Sequence, residues 1–140
     1  MTDRIEYTSP PLSSEELEKL WELFPQALRE LLGDGIVLVS YGTLSKLHPD
    51  LWYVPMKVGT AWMDRFLRES IEQGISGPAE ADIFFQLPEG GPEILFCHEG
   101  DVHISASAES SLLFLLGREP FARLFPGKEF KRKSVAPREA

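Results

Sequence analysis

The run Cys97-His98-Glu99-Gly100-Asp101-Val102-His103 brings a thiol, two imidazoles and two carboxylates into seven consecutive positions. These are the ligand types of zinc and other transition metals. If Glu99 to Val102 is a tight hairpin connection, His98 and His103 stand opposite each other on adjacent strands, and with Asp101 they form a candidate metal set. The spacing differs from the helical zinc-protease pattern, in which the second histidine follows the first by four positions and a glutamate lies between. Strand alternation sends Cys97 and His98 to opposite sheet faces and so keeps the thiol out of the set. The competing reading is a polar hairpin tip, with Cys97 buried as a small hydrophobe and the histidines half exposed.

A hydrolytic use of the same hairpin would make Cys97 a nucleophile with histidine as its base. Such thiols need an electropositive setting. Cys97 instead follows the apolar Ile94-Leu95-Phe96 and precedes acidic residues, which raises its pKa. No Gly-x-Ser-x-Gly occurs, since Ser40-Tyr41-Gly42 lacks the preceding glycine, and Gly33-Asp34-Gly35 precedes a strand, the wrong order for a dinucleotide fingerprint. No catalytic residue is assigned and no cofactor is expected.

Leu51-Trp52-Tyr53-Val54 supplies a second kind of chemistry. On one strand Trp52 and Tyr53 point to opposite faces, so one of them leaves the core unless both faces are covered. Trp and Tyr are enriched among interface hot spots. With Asp50 beside them and Glu99 and Asp101 on the hairpin, they form the candidate interface.

Charge narrows the partners. The 140 residues carry 14 basic and 22 acidic side chains, a formal −8, and are 43% hydrophobic, as expected of a folded domain. Residues 1–126 hold 9 basic and 20 acidic residues (net −11); residues 127–140 hold five and two (net +3). Phosphate binding needs clustered Lys and Arg, so no nucleic acid is expected for the body. An acidic surface steers toward basic proteins. One cysteine excludes an internal disulfide. No apolar run approaches the roughly 20 residues of a membrane helix, and Met1-Thr2-Asp3-Arg4 opens no secretory leader, so a cytoplasmic location is expected.

The elements that must position these groups follow from periodicity. Residues 1–12 read as an extended lead-in, 13–126 as a single α+β domain and 127–140 as a flexible basic tail. Ser13 and Glu16 make a capping box, flanked by the staple pair Leu12 and Leu17. Apolar residues then recur at Leu17, Leu20, Trp21, Phe24, Leu28, Leu31 and Leu32, with Pro25 predicting a kink or break and Gly33 a cap. Ile36 to Tyr41 and Leu51 to Val58 read as strands, the second held to an edge by Pro55. Thr60 can cap a helix from Ala61 to Gln73. Asp82–Leu87, Glu93–Cys97 and Val102–Ser105 form an antiparallel meander, and Ser107 opens a third helix ending at Gly117. The expected fold is α+β: an antiparallel sheet of about five strands with helices at the N-terminus, middle and C-terminus.

The layout Ser13-Ser14-Glu15-Glu16-Leu17-Glu18, then Phe24-Pro25 and Ala27-Leu28-Arg29-Glu30-Leu31-Leu32 before a glycine turn, resembles the opening of SUKH-type domains. That resemblance implies an α+β protein of a family in which many bacterial members neutralise a toxin by binding it. The helix Ala61–Gln73 and the strand directly after the turn depart from the pattern. The function expected is therefore that of a small acidic cytoplasmic protein-binding domain. It would be an immunity-type inhibitor or secretion chaperone of bacterial type acting by stoichiometric binding, with a homodimer left open. The alternative is a small metal-dependent or hydrolytic enzyme built on the Cys97–His103 hairpin.

Overall fold

The computed structural model describes residues 4–88, 91–107, 124–125 and 129–135. The alternation of Ile5 and Tyr7 with Arg4, Glu6 and Thr8 makes β1 (Arg4–Thr8), inside the lead-in. Helix α1 (Ser14–Leu32) begins at a formed capping box: Ser13 Oγ accepts the Glu16 N–H at 3.1 Å, and Glu16 Oε1 accepts the Ser13 N–H at 2.9 Å. It runs unbroken through Pro25, whose ring is buried, rather than splitting in two. After Gly33 come β2 (Ile36–Tyr41), a 3-10 turn (Pro49–Leu51), β3 (Met56–Gly59) and α2 (Met63–Glu72). The meander is β4 (Ile83–Gln86), β5 (Glu93–Phe96) and β6 (Val102–Ala106), and β7 (Lys131–Val135) closes the order.

The strands form one seven-stranded sheet, β3-β2-β4-β5-β6-β1-β7, with every neighbouring pair antiparallel. The class is α+β with an antiparallel sheet, but with seven strands and, among the described residues, two helices. The two extra strands come from the lead-in and from the tail expected to be flexible. β7 pairs with β1 along its length, from Arg4 opposite Val135 to Thr8 opposite Lys131. A strand rich in Lys and Arg is suited to an edge, where charge discourages pairing with another chain. The expected third helix falls on residues outside the described set.

Both helices pack on one sheet face. Leu20, Trp21, Phe24 and Leu28 of α1 meet Val37, Val39, Phe85, Ile94, Phe96 and Ile104 in the core. Phe24 sits 4.8 Å from the Phe85 ring and 4.9 Å from the Phe96 ring. From α2 come Met63 and Leu67, whereas Trp62 and Ile71 are exposed. Thr60 does not cap α2. Its Oγ1 donates to Gly33 O at 2.6 Å and accepts the Gly35 N–H at 3.2 Å, tying α2's start to the end of α1.

The strand expected from Leu51 starts only at Met56, so Trp52 and Tyr53 lie in a loop and strand alternation does not govern them. Tyr53 folds back across the end of β2 with φ 63°, its N–H donating to Tyr41 O at 2.6 Å. β3 is an edge strand, as Pro55 requires. Among the described residues no helix is long and apolar enough to cross a membrane.

Candidate functional site

Antiparallel pairing brings the ends of β2, β5 and β1 and the starts of β4 and β6 to one end of the sheet, where the Cys97–Asp101 turn and the 42–55 loop also lie. The turn is clamped by its own backbone: Cys97 N–H donates to Asp101 O at 2.9 Å, and Gly100 N–H to Cys97 O at 3.0 Å. Gly100 has φ 91°, a conformation that favours glycine.

His103 stands opposite Thr8 in the β6–β1 pair. Its ring lies between two carboxylates, mostly buried like itself. Nε2 is 3.0 Å from Asp101 Oδ2, and Nδ1 is hydrogen-bonded to Glu6 Oε1. Thr8 Oγ1 donates to Glu6 Oε1 at 3.0 Å, and Lys133 Nζ is 3.9 Å from the same oxygen. Burial pushes the Glu6 pKa up, but hydrogen bonds from His103 and Thr8 and the charges of His103 and Lys133 outweigh it, leaving it below its ordinary value. Among the described residues, Asp101 Oδ1 is sealed from solvent without a hydrogen-bond partner.

His98 belongs to a different set. Its backbone N–H donates to Asp82 Oδ1 at 2.9 Å, and its ring Nδ1 lies 2.7 Å from the same oxygen. That hydrogen bond raises its pKa, with the charges of Asp82, Glu99 and Asp101 adding to the effect. Cys97 lies between the two sets. Its thiol is grouped with Asp82 and His98 on one side and with Asp101 and His103 on the other, donor atoms within 4.8 Å of one another in each group. Burial pushes the thiol pKa up to about 12, with the hydrogen bond to Asp101 and the charges of Asp101 and Asp82 adding to the rise and a backbone hydrogen bond at Glu99 opposing it.

The expected set His98, Asp101 and His103 is therefore divided. β5 ends at Phe96, so Cys97 and His98 sit in the turn, where alternation no longer separates them, and His103 pairs across β6 with Leu95 and Thr8 rather than with His98. Asp82 and Glu6 were missed. Glu6 carried a signal, the period-two pattern of residues 4–8; Asp82 carried none beyond its place at a strand start.

Of the candidate interface, Asp50 is exposed on the 3-10 turn and Glu99 is exposed at the hairpin tip. Tyr53 is 55% exposed, with its ring 5.8 Å from Phe84 and its hydroxyl 2.7 Å from Thr43 Oγ1. Trp52 is half-buried, its Nε1–H donating to Leu47 O at 3.2 Å. Asp101 faces His103 rather than solvent. Tyr53 also walls a groove of about 290 Å³ on the sheet face opposite the helices, with Leu38, Pro55, Phe84 and Glu93. A second cleft, about 500 Å³, runs between α1 and α2, with Leu17, Trp21 and Leu67 among its lining and Glu18, Glu22, Asp64 and Glu80 also in it. Neither includes a residue of the Cys97–His103 run.

Comparison with protein-family models, curated proteins and solved structures gives no match.

Proposed function

We propose that the chain is a protein-binding domain that docks a partner through the 42–55 loop and the adjoining open face of β2. One observation carries this reading. The loop presents four large apolar side chains to solvent, Leu44 at 52%, Leu51 at 50%, Tyr53 at 55% and Val54 at 45% exposure. Two of them, Leu44 at φ 76° and Tyr53 at φ 63°, occupy the left-handed region. That conformation costs a non-glycine residue about 1 kcal/mol or more, and each of these half-exposed side chains forgoes about half of the 1.5–3 kcal/mol that full burial is worth. A loop serving only to join two strands needs neither. Leu38 and Ile36 continue the apolar surface onto β2, and its border is of mixed charge, with Asp50 and Lys46 exposed on the loop and Lys57 opposite Leu38. An apolar centre with a polar rim of mixed charge suits a partner with a matching apolar patch and complementary polar periphery. The action is stoichiometric binding, the role of an immunity-type inhibitor or secretion chaperone in the cytoplasm, and calls on no catalytic residue.

The test is affinity capture from cells of the natural source, with the wild-type chain beside a Leu51→Ser/Tyr53→Ser variant whose melting is checked first. The wild type should retain one protein in equimolar amount, and the variant should bind it at least about 30-fold more weakly, the loss typical of hot-spot truncation. Equal retention by both chains, or no retained protein, overturns the proposal.

A further inference from the structure

We infer that Cys97, Asp101 and His103 form a binding site for one divalent transition-metal ion of the zinc class, with Glu6 as the carboxylate that orients His103. The donors are a thiol sulfur, a carboxylate oxygen and an imidazole nitrogen, all within 4.8 Å of one another. Tetrahedral coordination at ordinary zinc bond lengths needs donor separations of about 3.5 Å, which the 4.8 Å limit and the 3.0 Å between His103 Nε2 and Asp101 Oδ2 bracket.

Two further observations favour this set. Among the described residues no donor meets Asp101 Oδ1, which is buried; the carboxyl group's partners are the Cys97 thiol and the His103 ring. A charged oxygen withdrawn from water without a partner is costly, and a cation beside it supplies what the protein does not. The second observation is the pairing of Glu6 with His103. Metal-bound histidines commonly give their other ring N–H to a carboxylate, which fixes the tautomer and aims the free nitrogen at the ion. Here Glu6 takes Nδ1, and Nε2 is left facing Asp101, 3.0 Å from its Oδ2. Thr8 in turn donates to Glu6 at 3.0 Å, so the orienting carboxylate is itself held.

The neighbouring set of Asp82, Cys97 and His98 lacks the first feature and has only a looser form of the second, Glu99 Oε1 lying 4.0 Å from His98 Nε2. Asp82 Oδ1 is already satisfied by the backbone N–H and the ring of His98, and the His98 ring is the more exposed of the two histidines. A sulfur, nitrogen and oxygen donor set selects zinc, cobalt or similar ions over magnesium and calcium. On binding, the Cys97 S–H bond is exchanged for a sulfur–metal bond. The thiol proton and the proton that Nε2 shares with Asp101 leave to solvent, and water can fill the fourth position.

The experiment uses the full chain, stripped by a chelator and titrated with Co²⁺, whose spectrum reports its ligands. One equivalent should give a thiolate-to-cobalt charge-transfer band and visible bands of a four- or five-coordinate ion, and Zn²⁺ should displace it. Cys97→Ser should abolish the charge-transfer band. Asp101→Asn and His103→Gln should weaken binding at least tenfold, Glu6→Gln should weaken it about 10- to 100-fold, and His98→Ala should leave it unchanged. No charge-transfer band in the wild type overturns the inference, a readout that depends on no variant folding. So does a site lost in His98→Ala but kept in His103→Gln, because the ion would then belong to the Asp82 set.

Discussion

Replacing Gly42 by alanine probes the contact that holds Tyr53 over the sheet. A Cβ at position 42 would lie 3.0 Å from Phe84 Cε2, 3.0 Å from Tyr53 Cε1 and 3.1 Å from Asp82 Cβ. Carbon atoms rest at about 3.5–4.0 Å, so the new methyl must displace its surroundings by about half an ångström on three sides. Asp82 is fixed from behind, because its carbonyl accepts the Gly42 N–H at 2.8 Å and its carboxylate holds His98. Phe84 is 8% exposed and packed into the sheet. Tyr53 is the neighbour able to move, tethered by its hydroxyl to Thr43 and exposed on its far side. Overpacking of this kind costs about 1–3 kcal/mol, and since one of the three neighbours can give, about 1–2 kcal/mol is expected. Urea unfolding followed by circular dichroism should show a lower midpoint at unchanged slope. Tyr53→Ala in the same background removes one clash, so the double variant should lose about 0.5–1 kcal/mol less than the sum of the singles. A Gly42→Ala protein within about 0.3 kcal/mol of wild type, or strict additivity in the cycle, would refute the assignment of the strain to Tyr53.

Three further outcomes follow from other contacts. Tyr41→Phe removes the buried hydroxyl that donates to Ser70 Oγ at 2.7 Å; because Ser70 keeps its own bond to Ser76 O at 3.0 Å, the loss should be about 1 kcal/mol by thermal melting. In the metal-free chain, the pKa of His98 is raised, so the pair's contribution is fully present below the ordinary histidine value and fades as pH rises through the folded one. Asp82→Asn should bring the NMR titration of His98 down toward normal, and salt should shrink the small stability change because the ring is partly exposed; an unmoved titration disproves the pairing. Ser13→Ala removes the Oγ arm of the capping box, leaving the Glu16 carboxylate on the N–H of residue 13, and should cost about 1 kcal/mol, visible as faster amide exchange in the first turn of α1.

The parts of the fold legible in the sequence are those whose signal is local. The Ser13–Glu16 box, the 3.6-residue stripe of α1 and Gly33 lie within one helix. The meander β4–β5–β6 joins strands through short turns. Residues 51–55 were misread as strand because Leu51-Trp52-Tyr53-Val54 has the composition of one, and the bond from Tyr53 N–H to Tyr41 O that folds the loop back depends on where β2 ends. In the site, Cys97, Asp101 and His103 were visible as residue types. Their grouping was not, since one residue's difference in where β5 stops decides whether Cys97 and His98 diverge or converge.

By itself the sequence determined the secondary-structure class, the polar character of the 97–103 turn and the sign of the charge. Only the tertiary structure decided what these face. Glu6 reaches His103 across 97 positions of sequence, and β7 returns from the far end of the chain to lie on β1. The basic tail and acidic body, read as separate, thereby meet: Lys133 lies opposite Glu6 in the sheet. The reason is that an edge strand is stabilised by a partner distant in sequence. Its own residues carry only alternation and charge, which an unpaired segment can carry equally well.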